Sequence, residues 1–323
     1  MKYNIFIVAG PLHVMNAIEA INHFETQNNI LLILYTDNEK QLSQMKKMVD
    51  FSDWYDIKYI SLPQKMRDKL FFAQYISVAL KDLKKDLIDK IFVGEYRSDH
   101  VNHIVNTLRN SNIYLLDDGL AQLNYHKEMA QEPYKVKLRR VIYKFLLYKL
   151  KPLSYTFFTI FDIKNEKVIK NDFNFFKKYI GNKNIEESVY FIGQPLVELG
   201  ILNKENHKKE LVKIINFYRG KKFIYILHRR EEPNNIKKLS KELNFEYKEF
   251  DNLIELEMIN ASIVPSAFAT FYSTAIVTLP SFILETEYRV FRSSNEIINK
   301  KFINNISAVY IELEKMGLKV ELL

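Results

Sequence analysis

Four short stretches of the chain hold side chains able to do chemistry. In Tyr114-Leu115-Leu116-Asp117-Asp118-Gly119 an apolar run ends in two adjacent carboxylates and a glycine. Neighbouring residues at a strand end point in different directions, so one carboxylate can face a cleft while the other holds the loop. A carboxylate so placed can take the proton of a hydroxyl nucleophile. The same letters also spell an ordinary Asp-Gly turn. In Phe223-Ile224-Tyr225-Ile226-Leu227-His228-Arg229-Arg230-Glu231-Glu232 a second apolar run ends in an imidazole beside two guanidiniums. That set suits a phosphate leaving group, which the cations stabilise and the His protonates as it departs. A solvated loop of mixed charge fits it equally well.

The third stretch is Pro265-Ser266-Ala267-Phe268-Ala269-Thr270-Phe271-Tyr272-Ser273-Thr274-Ala275. Ser273 and Thr274 precede an apolar helical start, which they can cap, and the free N–H groups there can receive a phosphate. Capping without a ligand needs the same residues. The fourth is Ala9-Gly10-Pro11-Leu12-His13, where Gly10 and Pro11 make a tight turn and His13 either contacts a substrate or begins a helix. The G-x-G-x-x-G spacing of dinucleotide sites and the G-x-x-x-x-G-K-[ST] phosphate loop are both absent from the sequence. Metal binding has little support. The histidines at 13, 23, 100, 103, 126, 207 and 228 are scattered, and no H-E-x-x-H or D-x-D at a strand end occurs.

These residues need elements to position them. Tyr3–Val8, Ile30–Tyr35, Ile57–Leu62, Ile91–Gly94 and Ile113–Leu116 are short apolar runs, each fitting a buried parallel strand. Between them, His13–Phe24, Glu39–Val49, Leu70–Leu83 and His100–Leu108 have helical spacing. Strand and helix in alternation predict a parallel sheet covered on both faces, with ligands beyond the carboxyl ends of the strands. The alternation resumes near residue 186, with strands at Val189–Gly193, Lys222–His228, Ile263–Pro265 and Ser281–Leu284. Helices follow at Lys204–Tyr218, Asn235–Leu243 and Leu253–Asn260, and a closing helix at Ser307–Gly317. The expected fold class is therefore α/β, with two Rossmann-like domains, 1–185 and 186–323, facing a central cleft. Between Pro133 and Pro152 lie Lys135, Lys137, Arg139, Arg140, Lys144, Lys149 and Lys151 with apolar residues interleaved and no acid, which predicts a basic amphipathic helix.

Composition narrows the classes further. The chain has 323 residues, 47% hydrophobic and 27% charged, which is globular and long enough for two domains. Cysteine is absent, which removes disulfides, Cys-ligated metals and thiol nucleophiles. The net charge of +8 suits anionic substrates or a membrane surface, and no nucleic-acid recognition motif accompanies it. The first apolar run is too short for a signal peptide, and none approaches the roughly 18 residues of a membrane span, so a cytoplasmic location is expected.

Taken in order, these segments resemble the bacterial sialyltransferases, most closely glycosyltransferase family 52, whose members act on lipooligosaccharide and capsule. Pro11-Leu12-His13 opens the resemblance and Asp117-Asp118-Gly119 matches the acidic-acidic-Gly motif. Phe191-Ile192-Gly193-Gln194-Pro195-Leu196 looks like the entry to the second domain. His228 falls at the His-Pro motif and Ser273-Thr274 at the paired hydroxyl motif. One departure is that His228 is followed by Arg229 and not by Pro, although Arg230-Glu231 keeps the following Arg-Glu character.

The resemblance implies a GT-B-type fold and inverting, metal-independent transfer of N-acetylneuraminic acid from CMP-N-acetylneuraminate, with no further cofactor. The acceptor would be a galactoside of a surface glycan, bound by residues 1–185 and joined through an α-2,3 linkage; residues 186–323 would bind the CMP-sugar. Asp117 would be the general base, with Asp118 as the alternative. His228 would protonate the departing CMP phosphate, Arg229, Ser273 and Thr274 would bind it, and Gly10, Pro11 and His13 would form a substrate loop. A donor carrying pseudaminic or legionaminic acid would need the same chemistry. A catalytically silent glycan-assembly protein would tolerate loss of Asp117 and His228. The basic helix fits peripheral contact with an anionic inner membrane and fits equally a basic face in solution, and the resemblance is compatible with a homodimer.

Overall fold

The structure is a computed structural model that describes residues 2–108, 112–125, 133–163 and 166–323. His126 lies outside the described residues. The chain divides into two compact units, Met1–Phe175 and Phe176–Leu323. The first runs β1 (Tyr3–Val8), α1 (Pro11–His23), β2 (Asn29–Tyr35), α2 (Glu39–Val49), β3 (Asp56–Ser61), α3 (Met66–Ala79), β4 (Ile88–Val93), α4 (Asp99–Leu108), β5 (Ile113–Leu116), α5 (Tyr134–Phe145), β6 (Thr156–Thr159) and β7 (Val168–Lys170). The short helix α6 (Asn174–Lys177) spans the division.

The first unit's seven strands form one parallel sheet in the order β3-β2-β1-β4-β5-β6-β7. Strands buried on both faces read as unbroken apolar runs, as Ile5-Phe6-Ile7-Val8 does. The order reverses between β1 and β4, and the crevice this opens at their carboxyl ends is where such sheets hold ligands. Much of the aromatic content goes into the core. Phe6 stacks on Phe92 with ring centroids 4.4 Å apart, and Phe92 stacks on Tyr114 at 4.9 Å, following the β1-β4-β5 register. Phe24, at the end of α1, closes over Phe92, Tyr114 and Phe158. Each such pair contributes about 0.5–1.5 kcal/mol beyond area burial.

The second unit contains β8 (Asn184–Ile192), α7 (Lys204–Phe217), β9 (Lys222–Leu227), α8 (Pro233–Leu243), β10 (Glu246–Glu249), α9 (Ile254–Asn260), β11 (Ile263–Thr270), α10 (Ala275–Thr278), β12 (Glu287–Arg292), α11 (Ile303–Lys315) and β13 (Lys319–Leu322). Its six strands are parallel in the order β10-β9-β8-β11-β12-β13, so the reversal falls between β8 and β11. Tyr190, Phe268 and Tyr288 share one row of this sheet, again aromatic on aromatic.

Two expectations are corrected. The strand expected at Ser281–Leu284 is instead a 3₁₀ turn, Leu279–Ser281, around Pro280, followed by the exposed Leu284. Proline fixes φ and removes a ladder donor, and the strand forms later, at β12. The closing helix is followed by an edge strand, β13. The basic segment does form a helix, but α5 stops at Phe145, and Leu147 then turns the chain with a left-handed φ of 63°.

Candidate functional site

In the first unit the site forms where the β1-to-α1 turn, the end of β4 and the end of β5 come together. Gly10 precedes α1 in an extended conformation, and Pro11 stands at the first helical position, where its missing N–H is no loss. His13, on the first turn of α1, is buried. Its Nδ1 accepts a hydrogen bond from the Ala9 N–H at 3.2 Å, so the ring proton sits on Nε2. Nε2 is 2.9 Å from Asp118 Oδ1 and donates to it. The other Asp118 oxygen takes Arg97 Nη1 at 3.0 Å, and the Arg97 guanidinium lies over the Tyr96 ring. Asp118 thus has both oxygens held in place while 19% of its side chain stays open to solvent. Glu95 lies close by, and burial, then the Asp118 charge, push its carboxyl above the usual range.

Asp117 is different. Its side chain is buried. Oδ2 accepts from Thr159 Oγ1 at 2.9 Å and from the Ile160 N–H at 3.1 Å, which ties the end of β5 to the end of β6. Its backbone carbonyl accepts from Asn16 Nδ2, and Asn16 in turn accepts from Asn171. Burial raises the Asp117 pKa to about 7 against these bonds, which lower it. Gly119 then turns the chain out of the strand at φ 70°. The turn reading and the site reading of Asp-Asp-Gly are therefore both present: Asp117 and Gly119 shape the loop, and Asp118 faces the crevice.

Gly94, the residue after β4, makes room for His13. A Cβ there would lie 2.3 Å from His13 Cγ. Gly94→Ala is expected to displace the imidazole, release Asp118 from it, and lower turnover about a hundredfold. Steady-state kinetics beside a thermal melt would separate this from simple unfolding, and unchanged kinetics would refute it.

In the second unit the strand ends carry the other predicted residues. His228 follows β9, and its Nδ1 accepts from the Arg230 N–H at 3.1 Å, which leaves Nε2 carrying the ring proton. The loop is closed by Glu231, to which the sequence motif alone gives no role. Glu231 Oε2 accepts from the His228 N–H at 2.7 Å, the Glu231 N–H donates to the His228 carbonyl, and Oε1 accepts from the Tyr225 hydroxyl at 2.6 Å. Burial raises the Glu231 pKa to about 8. Gly193 is required beside it, because a Cβ there would lie 2.4 Å from Glu231 Oε2. Arg229 is half-buried, and burial, then the charge of Arg230, lower its pKa. An anion at this loop would offset both effects.

Across the reversal, Gln194 Oε1 accepts from the Tyr272 N–H at 2.7 Å, linking the end of β8 to the loop that carries Ser273 and Thr274. Ser273 Oγ accepts from the Ala275 N–H at 3.4 Å, a weak version of the expected cap, and no side-chain cap bond comes from Thr274. Among the described residues no group of three His, Asp or Glu side chains is placed to hold a metal ion. A cavity of about 300 Å³ between α7 and α8 is lined by Val197, His207, Glu231 and Leu239 among others, and neither Ser273 nor Thr274 lines it.

The structure therefore unites His13 with Asp118 in the first unit, and adds Arg97, Glu95 and Gly94, which no motif announced. In the second it places His228 and Arg229 on one loop and Ser273 and Thr274 on another, both at carboxyl ends of strands. A model of the family described as Alpha-2,8-polysialyltransferase (POLYST) matches residues 4–289, a span that takes in every one of these residues. The chain belongs to the alpha-2,8-polysialyltransferase family. The expected kinship with bacterial sialyltransferases is thus met by this family.

Solved structures agree on the fold of this polysialyltransferase-family chain. It is similar to Arabidopsis thaliana UGT89C1 complexed with UDP, at 9% identity and a TM-score of 0.55 over 100% of this chain and 86% of that one. It is similar to Methanocaldococcus jannaschii UDP-GlcNAc 2-epimerase in complex with UDP-GlcNAc and UDP, at 14% identity and a TM-score of 0.51 over 100% and 89%. It is also similar to S. aureus MnaA with UDP, at 12% identity and a TM-score of 0.52 over 98% and 88%. At such identities the likeness is one of fold, the two-domain Rossmann-like GT-B architecture. No curated protein matches the chain. Family and fold together make it a glycosyltransferase of the sialyltransferase class, which uses a nucleotide-sugar donor and a glycan acceptor.

Proposed function

We propose that the protein transfers sialic acid from CMP-N-acetylneuraminate to a glycan hydroxyl, with inversion at the anomeric carbon and no metal requirement. The observation that carries this reading is Asp118, an accessible carboxylate held by His13 and Arg97 at the reversal of the first sheet, inside the span of the family model. The acceptor oxygen bonds to the anomeric carbon as the bond to the CMP phosphate breaks. The acceptor proton passes to Asp118, and His228 Nε2–H donates to the departing phosphate. Arg229, Ser273 and Thr274 bind that phosphate. The anomeric carbon is tertiary and bears a carboxylate, so an oxocarbenium-like transition state is accessible, and the protein supplies chiefly orientation, a base and stabilisation of the leaving group.

Asp118 takes the role of base in preference to Asp117, whose oxygens are buried. For the acceptor we follow the family description, α-2,8 transfer to a terminal sialic acid, over the galactoside and α-2,3 linkage that the family 52 resemblance implied. Incubation with CMP-sialate and either a galactose-terminated or a sialic-acid-terminated oligosaccharide tests this. Mass spectrometry should show the sialylated acceptor extended, CMP released in equal amount, and no loss of rate with EDTA. Absence of CMP release with both acceptors, alongside turnover of a UDP-sugar, would overturn the donor assignment.

A further inference from the structure

An amphipathic helix on a globular protein normally turns its apolar stripe inward. Helix α5 does the reverse. Its inward side carries Tyr143, which is buried, and the paired arginines Arg139 and Arg140, whose Nε atoms donate to the two oxygens of the buried Asp99 at 2.7 and 2.8 Å. Its outward side carries Tyr134, Leu138, Val141, Ile142 and Phe145, all exposed. Their spacing sets them in one stripe along the helix. At 3.6 residues per turn, Lys135 falls on one flank of that stripe and Lys137 and Lys144 on the other.

The turn after the helix extends the pattern. Leu147 holds a left-handed backbone that favours glycine, yet it is a large apolar residue that remains 77% exposed. Phe145, two residues earlier, is 83% exposed. Tyr148 then anchors the turn, buried, with its hydroxyl 3.2 Å from His100 Nδ1. Folding gains nothing from presenting Phe145 and Leu147 to water. A contiguous apolar stripe of this kind marks an interaction surface. Its charge selects the partner: no acid lies between Pro133 and Pro152, and lysines line both flanks. A second copy of the chain would set like charges against one another. A bilayer with anionic headgroups offers negative charge to the lysines and an apolar interior to the stripe.

The geometry points to α5 and the Phe145–Leu147 turn as the surface on which this protein docks, lying in the plane of an anionic bilayer. No helix among the described residues is long and apolar enough to cross a membrane, so the contact is interfacial. The inference is independent of the identity of the sugar donor.

Flotation with phosphatidylcholine vesicles, with and without phosphatidylglycerol, tests it on the full chain. The protein should float with the anionic vesicles and stay behind with the neutral ones. Replacing Lys135, Lys137 and Lys144 together by Gln should weaken anionic binding by about a hundredfold, near fivefold for each lysine. The pair Phe145→Ser and Leu147→Ser should abolish flotation while circular dichroism melting stays as in the parent, since both side chains are exposed. Failure to float with anionic vesicles would overturn the proposal. So would flotation that neither variant alters, or a dimer in sedimentation that depends on Phe145 and Leu147 without vesicle binding.

Discussion

Replacing Asp118 by Asn is expected to lower kcat for sialic-acid transfer by about 10²–10⁴-fold with little change in the melting temperature. The substitution keeps the shape and a partner for Arg97 or His13 but removes the site to which the acceptor proton goes. Asp117→Asn is the control. It should retain transfer within a few-fold, because Asp117 Oδ2 is taken up by Thr159 and the Ile160 N–H and Oδ1 is buried with it. It should instead change how stability depends on pH. The Asp117 pKa is about 7 in the folded protein, against an ordinary 3.8. The folded protein therefore keeps a proton that the unfolded chain releases above pH 3.8. Its contribution is full below that value and declines as pH rises to about 7. The slope is about 1.4 kcal/mol per pH unit for one such group. Urea unfolding of parent and Asp117→Asn across this range should show the parent losing stability by that slope relative to the variant. Lost transfer in Asp117→Asn and kept transfer in Asp118→Asn would reverse the assignment.

The second large effect is expected at His228. His228→Ala removes the Nε2–H donor to the departing phosphate and should lower kcat by about 10²–10³-fold, with a much smaller change in KM for the donor. The loop should survive, because the variant loses the ring's bond from the Arg230 N–H but keeps both bonds between the His228 backbone and Glu231. A rise in KM alone, with kcat intact, would mean that His228 binds the donor without assisting departure.

What could be read from the sequence, and what could not, follows from where the information lies. Strands such as Ile113–Leu116 and helices such as Glu39–Val49 announce themselves, because burial on both faces or on one face writes a local pattern. The short strand β6 and the short edge strands β7, β10 and β13 carry little of that pattern, being three or four residues long. At the site, Asp-Asp-Gly was visible, but the choice between the two carboxylates was not. It depends on Thr159 and Ile160, which lie more than 40 residues further along, and on His13, over 100 residues earlier. Arg97 and Gly94 follow β4 in a stretch with no motif, and only the meeting of three strand ends gives them a role. Glu231 shows the same limit: its letter was noted, and its place beneath the His228 loop came from Tyr225 and Gly193.

The way the two sheets divide the chain has a consequence for synthesis. Among the described residues, every strand of the first sheet lies before Phe175 and every strand of the second after it. A nascent chain whose first 175 residues have left the ribosome already holds every segment its sheet pairs. The amino-terminal half can thus close while the rest is still being translated, which shortens the time its parallel strands stand unpaired in the cell.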